Sequence, residues 1–151
     1  MAKTSAISLG IVIALFAVTP LTASAQFAKK EDAIKYRQSA FSLMGTHMNR
    51  IAAVTKGEVP FNAADVQKSA AVIATLSALP WEAFGPGTEG GKAKPAIWKE
   101  MDKVKGGADK LMKAAADLNT AAKSGNLEQV KKAFGATGQT CKACHDDYKD
   151  K

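Results

Sequence analysis

An all-α, antiparallel four-helix bundle is the fold class that this sequence predicts, and three observations lead there. The chain is rich in alanine and only 7% aromatic, a balance that favours helix over strand. Apolar residues recur at helical spacing in four segments, with no alternating strand pattern and no internal repeat. Short connections bearing Gly and Pro join those segments, which makes antiparallel neighbours the default arrangement.

The 151 residues amount to one domain with some chain to spare, and the excess lies at the front. Lys3 supplies a short positive region, Ile7 to Val18 is a nearly unbroken apolar run, and Pro20 breaks it before Ala23-Ser24-Ala25. This pattern predicts a secretory signal peptide over residues 1–25, cleaved after Ala25. The apolar run falls short of the roughly 20 residues that span a bilayer, so no membrane span is expected after cleavage. The domain is then Gln26 to Lys151, and loss of Lys3 lowers the formal charge of +7 by one. Export implies an oxidising compartment, yet two cysteines are too few for a disulfide-stapled scaffold.

The first helix is expected from about Lys29 to Thr55, with Glu31 and Asp32 in its first turn and Lys56 at its end, as the helix dipole prefers. Asn62 is the N-cap of the second, with Asp65 three residues on. Val66, Ala70, Ile73 and Leu76 or Ser77 form its apolar stripe, and Pro80 stops it. Pro80 to Pro95 is punctuated by Gly85, Pro86, Gly87, Gly90 and Gly91, which predicts an ordered loop carrying Trp81 and Phe84. The third segment runs from Pro95 to Lys123. Gly106-Gly107 should leave its first part irregular, with firm helix from about Ala108 and an inward face of Leu111, Ala115, Leu118 and Ala122. Asn126 caps the fourth helix, with Gln129 at its third position and Val130, Phe134 and Thr137 inward. Gly135 and Gly138 weaken its middle.

Cys141-Lys142-Ala143-Cys144-His145 carries the chemistry. Positions i and i+3 of a helix share a face, so both cysteines can reach one flat ligand, and the next residue can turn an imidazole to its centre. C-x-x-C-H in this setting reads as attachment of one haem c, with thioethers from Cys141 and Cys144 and iron ligation by His145. Three other readings are weaker. A thioredoxin-like redox pair needs a βαβ setting that is missing here. Structural zinc needs about four ligands, and only His47 remains beyond these three. A disulfide between i and i+3 on a regular helix is strained.

A bundle ending in this motif resembles the cytochrome c′ family. The resemblance spans essentially the whole of Gln26 to Lys151. It rests on Gln26-Phe27-Ala28-Lys29, Tyr36-Arg37-Gln38-Ser39-Ala40, Leu76-Ser77-Ala78-Leu79-Pro80-Trp81, Phe84-Gly85-Pro86-Gly87-Thr88-Glu89-Gly90-Gly91 and Cys141 to Asp146. The resemblance implies a periplasmic protein, commonly a homodimer built through its first two helices. Its iron would have His on one side and no protein ligand on the other, binding nitric oxide and carbon monoxide while discriminating against oxygen. It further implies that Arg37 and Gln38 meet the haem propionates, that Trp81 and Phe84 line the pocket, and that Phe41 covers the open face of the iron. Lys92 falls in a loop that touches the haem in relatives, where an acidic residue can occur. Lys149 stands one turn beyond His145, where Arg is frequent, and keeps the cation without the planar donor fork.

Helical angles agree with Phe41 as an inward residue. Arg37 lies about 40° from it, Gln38 and Met44 about 60° and Met48 about 20°, whereas His47 lies about 120° away and reads as a surface histidine. Two functions follow. An apolar distal side suits a five-coordinate gas-binding protein, whereas Met44 or Met48 as sixth ligand would make a low-spin electron carrier. A peroxidase would want a polar acid–base group where Phe41 stands, so an enzyme is not expected. The positive charge suits an acidic redox partner, and no nucleic-acid-binding motif accompanies it.

Overall fold

The computed structural model describes residues 26–151, so the expected signal peptide lies outside the described residues. Four long helices form an antiparallel bundle: α1 (Lys30–Thr55), α2 (Ala63–Leu76), α4 (Met101–Lys123) and α5 (Leu127–Tyr148). A 3₁₀ turn over Pro80–Phe84 and a short helix α3 (Ala96–Lys99) occupy the connection between α2 and α4. Helix α2 packs on both α1 and α4, and α4 packs along α5. Among the described residues there is no strand, and no helix is long and apolar enough to cross a membrane.

The expected caps form. Asn62 Oδ1 accepts from the backbone N–H of Ala64 at 2.9 Å and of Asp65 at 3.3 Å. Asn126 Oδ1 accepts from Gln129 N–H at 3.1 Å. Each takes up donors that the first turn of a helix cannot satisfy internally. Lys56 is the C-cap residue of α1 rather than a member of its last turn, and pairs with Glu58 at 3.7 Å.

The core divides into two clusters. At one end Val66, Ala70, Ile73, Ala115, Leu118, Ala122 and Val130 close tightly, as the apolar stripes predict, together with Ile51 of α1, which no stripe named. Buried Thr137 joins α5 to α4 there, its hydroxyl donating to Ala114 O at 3.2 Å besides Ala133 O of its own helix at 2.9 Å. At the other end Phe84, Ile97 and Val104 form a smaller cluster with Phe41, Trp81, Trp98, Met101 and Tyr148 around it.

One glycine-based expectation is corrected, the irregular stretch at Gly106-Gly107, while Gly135 and Gly138 weaken α5 without breaking it. Helix α4 is continuous from Met101, through Gly106 and Gly107, and α5 passes unbroken through Gly135 and Gly138. The cost of about 1 kcal/mol per Gly relative to Ala is outweighed by packing of the helix's apolar stripe. A Cβ at Gly106 or Gly135, both away from the cavity lining, would meet nothing within 4 Å, so no close approach demands these two glycines. Gly135→Ala should therefore stabilise the protein by about 0.5–1 kcal/mol. Urea denaturation checks this, and an unchanged or lowered midpoint would show a local demand for glycine.

Candidate functional site

A cavity of about 530 Å³ opens at the end of the bundle that the small aromatic cluster closes. Its size lies within the usual range for small-molecule and cofactor sites. Phe41, Met44 and Met48 from α1, Ile73 from α2, Trp81 and Phe84 from the 3₁₀ turn, and Ile97, Val104 and Leu111 from α3 and α4 make its walls largely apolar. Helix α5 supplies Cys141, Cys144 and His145 to the same cavity, and Arg37, Gln38, Lys92 and Lys149 also line it. Every site residue expected from the sequence is thus gathered around one space.

Arg37 is the most constrained of them. It is 3% exposed, so its charge is buried. Nη1 donates to Ala83 O at 2.7 Å and Thr88 O at 2.8 Å, and Nη2 donates to Gly90 O at 2.8 Å. The guanidinium lies 4.7 Å from the ring centre of Phe84 and 5.5 Å from that of Trp98, which adds cation–π attraction on both aromatics. Burial lowers its pKa, and the carboxylate of Glu89 opposes that shift. Of its five N–H donors, one on Nη2 and the Nε–H remain beyond these three bonds.

The chain after the 3₁₀ turn can lie this close to α1 because of two glycines. Gly90 and Gly91 have φ of 121° and 63°, and a Cβ on Gly91 would stand 2.8 Å from Gln38 Nε2 and 3.0 Å from Ile34 Cγ2. Trp81 and Phe84 are held on the cavity wall in an aromatic group. Phe41 meets Trp81 edge-on at 5.8 Å between centroids, and Trp81 stacks on Phe84 at 6.2 Å. Trp81 Nε1 donates to Ser77 O at 2.6 Å, which fixes its indole.

Phe41 and His145 meet across the cavity, their centroids 6.1 Å apart and their planes at 76°. Desolvation and the Lys149 cation lower the His145 pKa against an opposing effect of Asp146, favouring the neutral imidazole that ligates metals. Cys141 and Cys144 form no disulfide. Burial pushes the pKa of each thiol upward, partly offset at Cys141 by a hydrogen bond with Thr140 and reinforced at Cys144 by Asp147.

Several contributors were not foreseen. Trp98 Nε1 donates to Gly85 O at 3.1 Å and its ring covers Phe84. Tyr148 lines the cavity, and its hydroxyl donates to Glu100 at 2.7 Å, which pushes its pKa up to about 12. Its place three residues after His145 was the available signal. His47 is less open than a surface histidine: its ring is half-buried, with Nδ1 enclosed and without a partner. Burial, Arg50 and Lys68 lower its pKa.

A helical bundle with two thiols, an imidazole and a large apolar cavity at one end defines a haem-binding bundle protein of the C-x-x-C-H type. Comparison with known proteins gives the family. The family model for Cytochrome C′ matches residues 32–149. Cytochrome c′ from Alcaligenes xylosoxydans xylosoxydans is 49% identical over 126 residues, covering 83% of this chain and 99% of that protein. Cytochrome c′ from Rubrivivax gelatinosus is 47% identical over 129 residues, covering 83% of this chain and all of that one (100%). A nitric oxide complex of a leucine-to-alanine variant of the Alcaligenes xylosoxidans protein superimposes with a TM-score of 0.80 at 48% identity, covering 83% of this chain and 99% of that one. The chain belongs to the cytochrome c′ family. Its cofactor is one haem c, covalently attached through Cys141 and Cys144.

Arg37→Lys should lower the unfolding free energy by roughly 2–4 kcal/mol, since one ammonium cannot serve three divergent carbonyls and leaves buried acceptors unpaired. Chemical denaturation measures this; a loss under 1 kcal/mol would mean that the loop holds itself.

Proposed function

We propose that this chain is an exported, periplasmic haem protein that binds nitric oxide and carbon monoxide, with His145 as the sole side-chain ligand of the iron, and that it also takes part in electron transfer. The observation that carries the reading is the pairing of Phe41 with His145 across the cavity. A phenyl ring cannot ligate iron, donate a hydrogen bond to a bound gas or move a proton. It leaves an apolar distal side, open only as far as the ring permits. Haem c, when bound, supplies an iron that accepts a diatomic gas and changes oxidation state. The nitric oxide complex of the Alcaligenes xylosoxidans relative supports the choice of ligand.

Around that axis the chain's own groups have distinct tasks. Trp81 and Phe84 exclude water from the apolar wall. The spare Nη2 and Nε protons of Arg37 and the Gln38 amide are the donors on α1 for the propionates, and Lys92 adds a cation at the same mouth. The thin alanine core beside the cavity leaves the space that a macrocycle fills. An acidic redox partner suits the positive charge of the chain, and no catalytic acid–base pair is proposed. Pairing of two copies through α1 and α2, the arrangement common in the family, is part of this reading, and Leu43 on α1 leaves 52% of its surface exposed. The signal peptide over residues 1–25 supplies the export route.

A second reading draws on Met44 and Met48, which line the same cavity. Either thioether as sixth ligand would give a low-spin carrier of higher potential. Absorption and EPR spectra of the holoprotein, with and without nitric oxide, separate the two. The expected result is a high-spin spectrum that changes with the gas and persists in Met44→Leu and Met48→Leu. A low-spin spectrum indifferent to nitric oxide, turning high-spin in one of those variants, would establish the second reading.

Phe41→Ala should speed carbon monoxide association roughly tenfold or more, the equivalent of about 1.4 kcal/mol of steric obstruction. Stopped-flow rates matching wild type would remove Phe41 as the cover.

A further inference from the structure

The end of α5 is tied down by bonds that the haem motif does not require. Tyr148 follows His145 by three residues, so the two side chains leave the same side of the helix, and both line the cavity. The Tyr148 hydroxyl donates to Glu100 Oε2 at 2.7 Å. Glu100 is the single residue between α3 and α4. Its N–H donates to Ala96 O at 3.0 Å and Ile97 O at 3.3 Å, closing α3, while its carbonyl accepts from Val104 N–H at 3.1 Å, opening α4. Lys103 Nζ donates to the same Oε2 at 3.0 Å, which keeps the carboxylate charged and directed. The phenol therefore grips the most constrained point of the neighbouring elements.

Weaker ties surround it. Lys94 N–H donates to Tyr148 O and Asp150 N–H to Lys92 O, each at 2.9 Å, pairing the tail with the loop as a short antiparallel bridge. Lys94 Nζ reaches the carbonyls of Asp146 at 3.2 Å and Asp147 at 3.1 Å, which have no acceptor role inside the last turn. These bonds lie at the surface, where water competes for each group. A phenol on a carboxylate is charge-assisted and stronger.

We propose that Tyr148 and Glu100 are a positioning pair for His145: by pinning the last turn of α5 to the joint between α3 and α4, they set how the imidazole meets the haem iron. The inference rests on ligation by His145 and holds whether or not a sixth ligand is present. Neither residue is proposed as a ligand of the iron. Their effect passes through the backbone of one helical turn.

The test uses the holoprotein with Tyr148→Phe, Glu100→Ala, the two together, and Glu100→Gln, whose amide oxygen still accepts from the phenol. Amide hydrogen exchange at Lys94, Lys149 and Asp150 reports the tie, and the hyperfine-shifted haem methyl signals in proton NMR report the imidazole. Tyr148→Phe and Glu100→Ala should each speed those amides roughly tenfold, as expected for one hydrogen bond to a charged group. Both should displace the methyl signals in the same direction, the double variant should go no further than either single one, and Glu100→Gln should stay near wild type. Unchanged exchange overturns the proposal. Faster exchange with methyl signals left at their wild-type positions also overturns it, since the pair would then be structural only. The spin state of the wild-type spectrum decides separately between the two coordination readings, and it leaves this comparison intact.

Discussion

One buried cation organises the cavity end of this molecule. The segment from Ala83 to Gly91 carries too many glycines and a proline to form a helix, so its carbonyls lack regular partners. Arg37 collects three of them with one rigid fork. A buried guanidinium is unfavourable by itself, and the hydrogen bonds and the two aromatic rings beside it are what offset its desolvation. The result fixes the 3₁₀ turn to α1. With the turn go Trp81 and Phe84, which face Phe41 across the same aromatic group. Remove the fork and the cavity loses one wall rather than one contact.

The fold then has two halves of different character. Where Ile51, Ile73, Leu118 and Val130 meet, aliphatic side chains fill the space between all four long helices and no further group is needed. At the opposite end the helices enclose a cavity, and the family's haem c completes what side chains leave open. The attachment cysteines sit on the helix that spans both halves, so the cofactor is anchored to an element whose other end is already locked by Val130 and Thr137.

Much of this was legible because helical periodicity and capping act locally. Asn62 and Asn126 announced two helices, and the stripes of α2, α4 and α5 named every buried member of the aliphatic cluster except Ile51 of α1. Cys141, Cys144 and His145 were legible because three residues at fixed helical spacing define one face. Gly106-Gly107 misled, since propensity measures a local cost that the packed stripe of α4 overrides. His47 was read as a surface residue for a related reason: an angle on the helical wheel says which way a residue leaves α1, and nothing about which neighbours enclose one of its ring nitrogens. Arg37 was assigned to the cavity, but its three backbone partners lie 46 to 53 residues away and carry no side-chain signature. Tyr148 and Trp98 went unremarked because their partners, Glu100 and a carbonyl of Gly85, are likewise set by tertiary approach.

The two faces of the cavity are held by unlike means, and that difference sets where the molecule yields. Phe41 stands on α1 beside the buried Arg37 clamp, whose bonds are shielded from water and open only with the surrounding packing. His145 stands near the end of α5, where Cys141 and Cys144 are half-buried, and the ties of Lys94 to Asp146 and Asp147 and of Asp150 to Lys92 lie at or near solvent. Groups near solvent exchange protein partners for water at small net cost, so local opening there is far less expensive than at the clamp. Local opening is therefore expected first in the tail beyond Tyr148, while the apolar face around Phe41 and the turn held by the Tyr148–Glu100 bond keep their shape. The cover and the imidazole are thus each fixed by one strong tie, a buried guanidinium on α1 and a charge-assisted phenol on α5.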